Sequence, residues 1–403
     1  MSDGRTRRAA RRLSLLVAAS VAAGLSGAVV PSPPVAAAAS CAASADSPVI
    51  AGASWGQQRM GAENAWPRTT GDVVVAVLDT GVSAAASSLR GHVLPGTDLA
   101  GGPADGDCYG RGTFVASLIA GNAVEGTEFV GLAPGATILP VRITGDPDDL
   151  ALVDALPSLL ARGITAAVDG GARIVAIPLT ATASSPELEQ AVQAAVAADV
   201  LLVAAAGAPT TDAAAYPASL DGVLSVAPLG EDGGVDASGL GAAPDIASPS
   251  AGLVGAVPDG AGHVVGDEPS LAVAYAAGAA ALVRAEDPAL TVGAVIQRLM
   301  VTADAPTRPL PEGARTDPSM GAGVVDPVAA VSRLDPERVV AALDEALTLE
   351  MPPPADERPG DLALVLGLGL LAVTLAVLGP VAGVVAVRRA SATPRPSRRS
   401  SSP

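Results

Sequence analysis

Three short stretches hold the residues best placed to do chemistry. An apolar run over 73–78 ends in Asp79-Thr80-Gly81, a Gly-rich turn reads Gly110-Arg111-Gly112-Thr113, and Ser270 stands directly ahead of an Ala-rich segment. A hydroxyl attacks a carbonyl efficiently only when a neighbouring base takes its proton. A guanidinium stays protonated at any working pH, so Arg111 cannot be that base. The chain has two His, His92 and His263. The first comes after the apolar run and the second lies in a Gly-rich loop seven residues before Ser270. Each reads better as a surface or structural imidazole. Tyr109, with an ordinary pKa near 10, is a weaker base still. Two Cys and two distant His make no metal cluster, and no cofactor motif is present.

The elements that must position these residues are set by pattern. Short, β-branched apolar runs predict buried parallel strands over 73–78, 137–143, 173–179, 200–206 and 223–228. Helices are expected over 115–121, 150–170, 186–199, 271–286 and 292–302. Strands alternating with helices predict a doubly wound α/β fold, a mostly parallel sheet with helices on both faces. In such folds sites gather at the carboxyl ends of strands, where Asp79 sits. Hydrophobic residues are 49% of the 403 but aromatics only 2%, so Ala, Val, Leu and Ile must fill the core.

Charge is distributed by segment. No Lys occurs; five of the 24 basic residues lie in the first 12 positions and five after residue 387. Between 41 and 361 stand 14 Arg against 40 acidic residues. That surface repels phosphate backbones, which argues against nucleic-acid binding. Residues 1–39 read as a secretory signal, with five Arg, an apolar stretch and Ala36 to Ala39 as a small-residue cleavage pattern. An uncleaved anchor is the alternative, and either one directs the downstream domain to export. Residues 40–345 then form the main extracytoplasmic domain with an N-terminal extension, and 346–361 a Pro-rich linker. The charge-free run 362–387 suits one transmembrane helix of about 39 Å at 1.5 Å per residue. The Arg-rich tail 388–403 is expected in the cytoplasm, which makes a single-pass cell-membrane protein. Cys41 and Cys108 form the simplest disulfide for an oxidising compartment.

The order of Asp79-Thr80-Gly81, Gly110-Arg111-Gly112-Thr113 and Ser270 before an Ala-rich helix resembles the subtilisin family of serine proteases. Trp55 and Trp66 ahead of the first strand, Tyr216-Pro217-Ala218, and Gly321-Ala322-Gly323-Val324-Val325-Asp326 fit as well. The likeness covers about residues 50–332 and is nearest to the mycosins, the membrane-anchored proteases of type VII secretion in actinobacteria. Those share the signal peptide, a cysteine before the histidine motif, a Pro-rich linker and a C-terminal anchor.

The resemblance implies roles, and the sequence departs from several. Asp79 matches the triad carboxylate and Ser270 the nucleophile, but Arg111 occupies the histidine position. In subtilisin, loss of Ser or His alone lowers turnover by about 10⁶. Ala208 stands where the oxyanion Asn belongs, a group worth roughly 10²–10³ in rate. The Gly-Thr-Ser nucleophile motif reads Glu268-Pro269-Ser270, and the Pro four residues beyond Ser270 is Ala274. The substrate-pairing strand, usually Asn-x-Ser, reads Ala176-Ile177-Pro178, and Pro178 has no N–H to offer.

Arg111 is therefore expected to pair with Asp79 and with Glu268 in the old cleft; the alternative swings it to solvent. The leading expectation is a non-catalytic, mycosin-like component of a type VII secretion membrane complex, acting as scaffold or binder. The alternatives are a slow serine endopeptidase using Ser270 with a non-standard base, and a peptide- or protein-binding cleft that does not cut.

Overall fold

The computed structural model describes residues 47–149, 151–208, 213–306, 316–333 and 358–390. The expected signal segment, Cys41, residues 346–357 of the linker and residues 391–403 of the tail lie outside them. The chain divides into two units, residues 1–333 and 334–403.

In the first unit a short helix α1 (Trp55–Met60) precedes the sheet. The strands are β1 (Val74–Asp79), β2 (Thr97–Asp98), β3 (Thr137–Arg142), β4 (Ile174–Ile177), β5 (Leu201–Ala205), β6 (Val223–Leu229) and β7 (Ile246–Pro249). They pair in the order β2-β3-β1-β4-β5-β6-β7, every pairing parallel. An antiparallel pair, β8 (Leu253–Ala256) and β9 (His263–Gly266), stands apart. The helices are α2 (Arg111–Ala120), α3 (Leu152–Asp169), α4 (Pro186–Ala197), α5 (Ala272–Glu286), α6 (Val292–Thr302) and α7 (Pro327–Ser332).

Two apolar layers sandwich the sheet, and the period-two alternation of strand side chains assigns residues to them. Val75 and Val77 of β1 join Val115, Leu118 and the buried face of α5 on one side. Ala76 and Leu78 join Leu160 and Ile164 of α3 and Leu188 of α4 on the other. Helix α5 is buried from Ala272 through Arg284, as expected of an Ala-rich helix that is apolar all round. Arg284, 1% exposed, is tied down by its guanidinium. Its Nη1 donates to Asp199 Oδ2 and to the Leu290 carbonyl, and its Nη2 to the Asp199 carbonyl, each at 2.7 Å. Asp199 Oδ1 accepts from the Val292 N–H at 2.8 Å, so one carboxylate joins the end of α5 to the start of α6.

The topology matters for the site because β1 lies between β3 and β4. The chain runs from β1 to β2 and β3 on one side and from β4 to β5, β6 and β7 on the other, a switch of direction that opens a crevice at the carboxyl ends of β1 and β4. Asp79 is its last residue.

Some expected boundaries move. The helix expected over 115–121 starts at Arg111, because Asp107 satisfies the first turn: its Oδ1 accepts from Gly110 N–H and its Oδ2 from Thr113 N–H, both at 2.8 Å. The strand expected over 173–179 ends at Ile177, directly before Pro178, which cannot donate to the ladder. Strands β2, β7, β8 and β9 were not legible as strands.

Among the described residues of the second unit, helix α8 (Arg358–Ala390) contains the stretch Ala363–Arg388, which is long and apolar enough to cross a membrane. It begins four residues before the expected 362, with Pro359 in its first turn, where a missing N–H costs nothing.

Candidate functional site

Glycines bring the cleft's two charged groups together. A Cβ on Gly112 would meet the Gly81 carbonyl oxygen at 2.0 Å and the Asp79 Cβ at 3.1 Å. Gly81 has φ +104° and lies against the Gly106 carbonyl. Without side chains at these two points, the first turn of α2 closes onto the end of β1. The closure is held by buried polar groups. Thr80 Oγ1 donates to Asp107 Oδ1 at 2.8 Å and accepts from Gly112 N–H at 3.0 Å, while Thr113 Oγ1 donates to Asp107 Oδ2 at 2.8 Å.

This closure puts Arg111, the first residue of α2, on Asp79. Its Nε donates to Asp79 Oδ1 at 3.0 Å and to Oδ2 at 3.2 Å. The Asp79 side chain is 0% exposed and that of Arg111 13%. Asp79 Oδ1 also accepts from Thr80 N–H at 2.7 Å. The contact is side-on through Nε, and the buried Nη2 meets no partner among the described residues.

Burial pushes the Asp79 carboxyl up to about 6, outweighing the pull of the Arg111 charge in the other direction; the Asp107 charge adds to the rise. Burial opposes the Arg111 charge as well. The Asp79 charge and hydrogen bond overcome that, and the guanidinium is held above its ordinary value. The group at the centre of the cleft is thus a fixed cation with no lone pair to offer.

Ser270 sits in a 3₁₀ turn, Pro269–Leu271, immediately before α5. Its Oγ donates to Glu268 Oε2 over a long 3.5 Å. Ala208 offers a methyl group, which lies where a Cβ on Gly241 would meet it at 2.7 Å. The Ala208 N–H is already given to the Gly239 carbonyl at 2.8 Å. Ala176 is in register with Val77 and Val203 inside the sheet. Pro178, beyond the strand end, is buried.

Neither imidazole serves this cleft. His263 is 2% exposed on β9, its Nδ1 accepts from Ile50 N–H at 3.2 Å, and its ring lies 5.1 Å from that of Phe129. Burial lowers its pKa, so it is a neutral structural ring. The half-buried His92 has Nδ1 3.3 Å from the Ala136 carbonyl. Tyr109 donates its hydroxyl to Asp148, and that bond, with a smaller contribution from burial, pushes its pKa up to about 12. Cys108 is not a free thiol. Among the described residues no group of His, Cys, Asp and Glu could hold a metal ion.

Sequence reasoning singled out Asp79, Arg111, Glu268 and Ser270; it did not single out the apolar wall beside Arg111. A cavity of about 270 Å³ opens beside Arg111, between α2 and the β8–β9 pair. Phe114, Val257, Pro258, Val264 and Val265 line it with Glu268 at its edge. The only signal for it was the apolar pair Val264-Val265 in a Gly-rich loop.

Comparison with known proteins agrees with this architecture. The chain is 31% identical over 387 residues to Mycosin-1 of Mycobacterium tuberculosis, covering 79% of this chain and 84% of that protein. It is 30% identical over 218 residues to Thermitase of Thermoactinomyces vulgaris, covering 53% and 76%. The crystal structure of MycP1 from Mycobacterium smegmatis superposes with a TM-score of 0.62 at 28% identity, over 72% of this chain and 89% of that one. Residues 70–323 match the model of the Subtilase family, and with the parallel sheet and the cleft at the end of β1 this establishes that the chain belongs to that family.

Proposed function

We propose that this protein is a mycosin-like subtilase that has lost peptide hydrolysis and serves a type VII secretion complex as a membrane-anchored scaffold or binding domain. The observation that carries this reading is the Arg111–Asp79 contact at 3.0 Å. The carboxylate that should orient an imidazole instead neutralises a guanidinium, and nothing at that position can take the Ser270 proton. The loss of an oxyanion amide at Ala208 and of a main-chain donor at Pro178 points the same way. In this reading Asp79, Arg111 and Ser270 are the remnants of the triad.

The secretion context is supported by two relatives: MycP1 is described as an essential component of the type VII (ESX-1) system, and MycP3 as a protease of the ESX-3 system. The anchor reading is supported by the 26-residue apolar stretch Ala363–Arg388. The proposed topology is a signal over 1–39, the large domain at 40–345 outside the cell membrane, a linker at 346–361 and a cytoplasmic tail over 388–403. A Cys41–Cys108 disulfide ties the extension to the domain.

The long Ser270–Glu268 contact supports the second reading, a slow endopeptidase in which a carboxylate replaces imidazole. A fluorophosphonate probe separates the two. The full chain in membranes is expected to remain unlabelled, whereas labelling that disappears in Ser270→Ala would establish the slow enzyme. Affinity purification from native membranes tests the complex: secretion-system membrane proteins should co-purify, and their absence would remove the scaffold role.

A further inference from the structure

The β8–β9 side of the cleft is built to be covered. Outside the membrane-length helix, the large hydrophobic residues exposed among those described are Val49, Tyr109, Val153, Val264, Val265 and Val301. Three of these six, Tyr109, Val264 and Val265, line the cavity beside Arg111. Val265 is 62% exposed and Val264 43%, while Phe114, Val257 and Leu271 beneath them are buried. A volume of about 270 Å³ far exceeds the roughly 10–15 Å³ that admits one water, so a large apolar side chain fits. Apolar exposure gathered at one pocket marks an interaction site, whereas single exposed residues scattered over a surface do not.

Charge identifies what would enter. Glu268 stands at the edge of this cavity and also lines the neighbouring one of about 510 Å³, with Asp232, Asp236 and Asp267. All four carboxylates are exposed. Hydrogen bonds from Ser238 to Asp236 lower its pKa and keep it ionised. Among the described residues, Arg111 is the one cation lining either cavity, and Asp79 already neutralises it. The mouth therefore carries net negative charge beside an apolar slot.

From these two features together we infer that the cleft binds an extended peptide segment of a partner protein, with one large apolar side chain in the slot by Val264 and Val265. Flanking Arg or Lys residues meet Asp232, Asp236, Asp267 and Glu268. The inference rests on the reading that the domain binds rather than cuts, and it names the ligand that the old cleft selects.

Fluorescence anisotropy tests it with the full chain in lipid nanodiscs, empty nanodiscs serving as blank. The probe is a fluorescein-labelled eight-residue peptide with one Leu between two Arg in an Ala/Ser background. Saturable binding is expected. Replacing Leu by Ser, or both Arg by Glu, should weaken it at least about tenfold. Val265→Asp and the double variant Asp267→Asn, Glu268→Gln should do the same on the protein side, each at exposed positions that leave the fold intact. Equal affinity for all peptides, or no effect of these variants, overturns the inference. Binding that emerges only after deletion of residues 42–46 assigns the slot to the chain's own N-terminal segment and overturns it too. Mass spectrometry of the bound peptide separates the two readings: a bound but cleaved peptide upholds the docking site and defeats the non-catalytic reading, whereas an unbound, intact peptide does the reverse.

Discussion

Arg111 Nε lies 3.0 Å from Asp79 Oδ1, and the Asp79 side chain is wholly buried beneath it. Two charges taken from water at such a point cost several kcal/mol each unless they neutralise one another. The pair makes the cleft electrostatically self-contained, and it does so with the same carboxylate that a working triad would spend on an imidazole.

Arg111→Met keeps an apolar stem but removes the charge. It should destabilise the domain by about 3 kcal/mol at pH 8, because Asp79 is left buried and uncompensated. At pH 5 the loss should be smaller, since the carboxyl can protonate. Chemical denaturation followed through the fluorescence of Trp55 and Trp66 reads this difference. An equal loss at both pH values would show that the pair contributes through packing alone.

Asp79 also sets a pH dependence of its own. Its pKa is raised from 3.8 to about 6 by burial, so the folded state holds the proton more tightly than the unfolded chain does. The resulting stability is fully present below pH 4 and is lost as pH rises through about 6. A rise of that size corresponds to about 3 kcal/mol. The stability of the wild type relative to Asp79→Asn should therefore fall by up to that amount between pH 4 and pH 7. A difference that rises with pH would reverse the assignment.

Close approach of α2 to β1 is the third test. Gly112→Ala would drive a methyl group into the Gly81 carbonyl oxygen, 2.0 Å from the ideal Cβ position. A loss of about 3 kcal/mol or more is expected, as for other steric conflicts in packed interiors. Gly293→Ala, in helix α6 with open space around it, should be neutral or stabilising by up to about 1 kcal/mol. Similar thermal midpoints for the two variants would contradict the account of how the cleft closes.

Legibility in the sequence tracked the strength of local pattern. The run ending at Asp79 and the Ala-rich segment after Ser270 were both readable, because burial on all sides leaves an uninterrupted apolar signature. The expected Arg111–Asp79 contact was readable because the motif order fixes the two positions in this fold. The start of α2 was not. Its Gly-rich first turn looks like a loop, and the acceptor that satisfies it, Asp107, acts from outside the helix. Strands β8 and β9 escaped for a similar reason. Each is four residues long and, among the described residues, forms a ladder only with the other, so neither carries a periodic signal. With them went the apolar wall of the cleft. His263 read as structural from sequence, yet its partner Ile50 is 213 residues away, a contact that no local pattern shows.

Casein hydrolysis by the purified full chain tests the central claim most directly, with Ser270→Ala and Arg111→His measured in parallel. No turnover above the Ser270→Ala blank is expected for the natural sequence. Arg111→His alone should remain orders of magnitude below an intact subtilase, because Ala208 and Pro178 still lack the donors that the reaction needs. Robust hydrolysis by the natural sequence that disappears in Ser270→Ala would contradict the account.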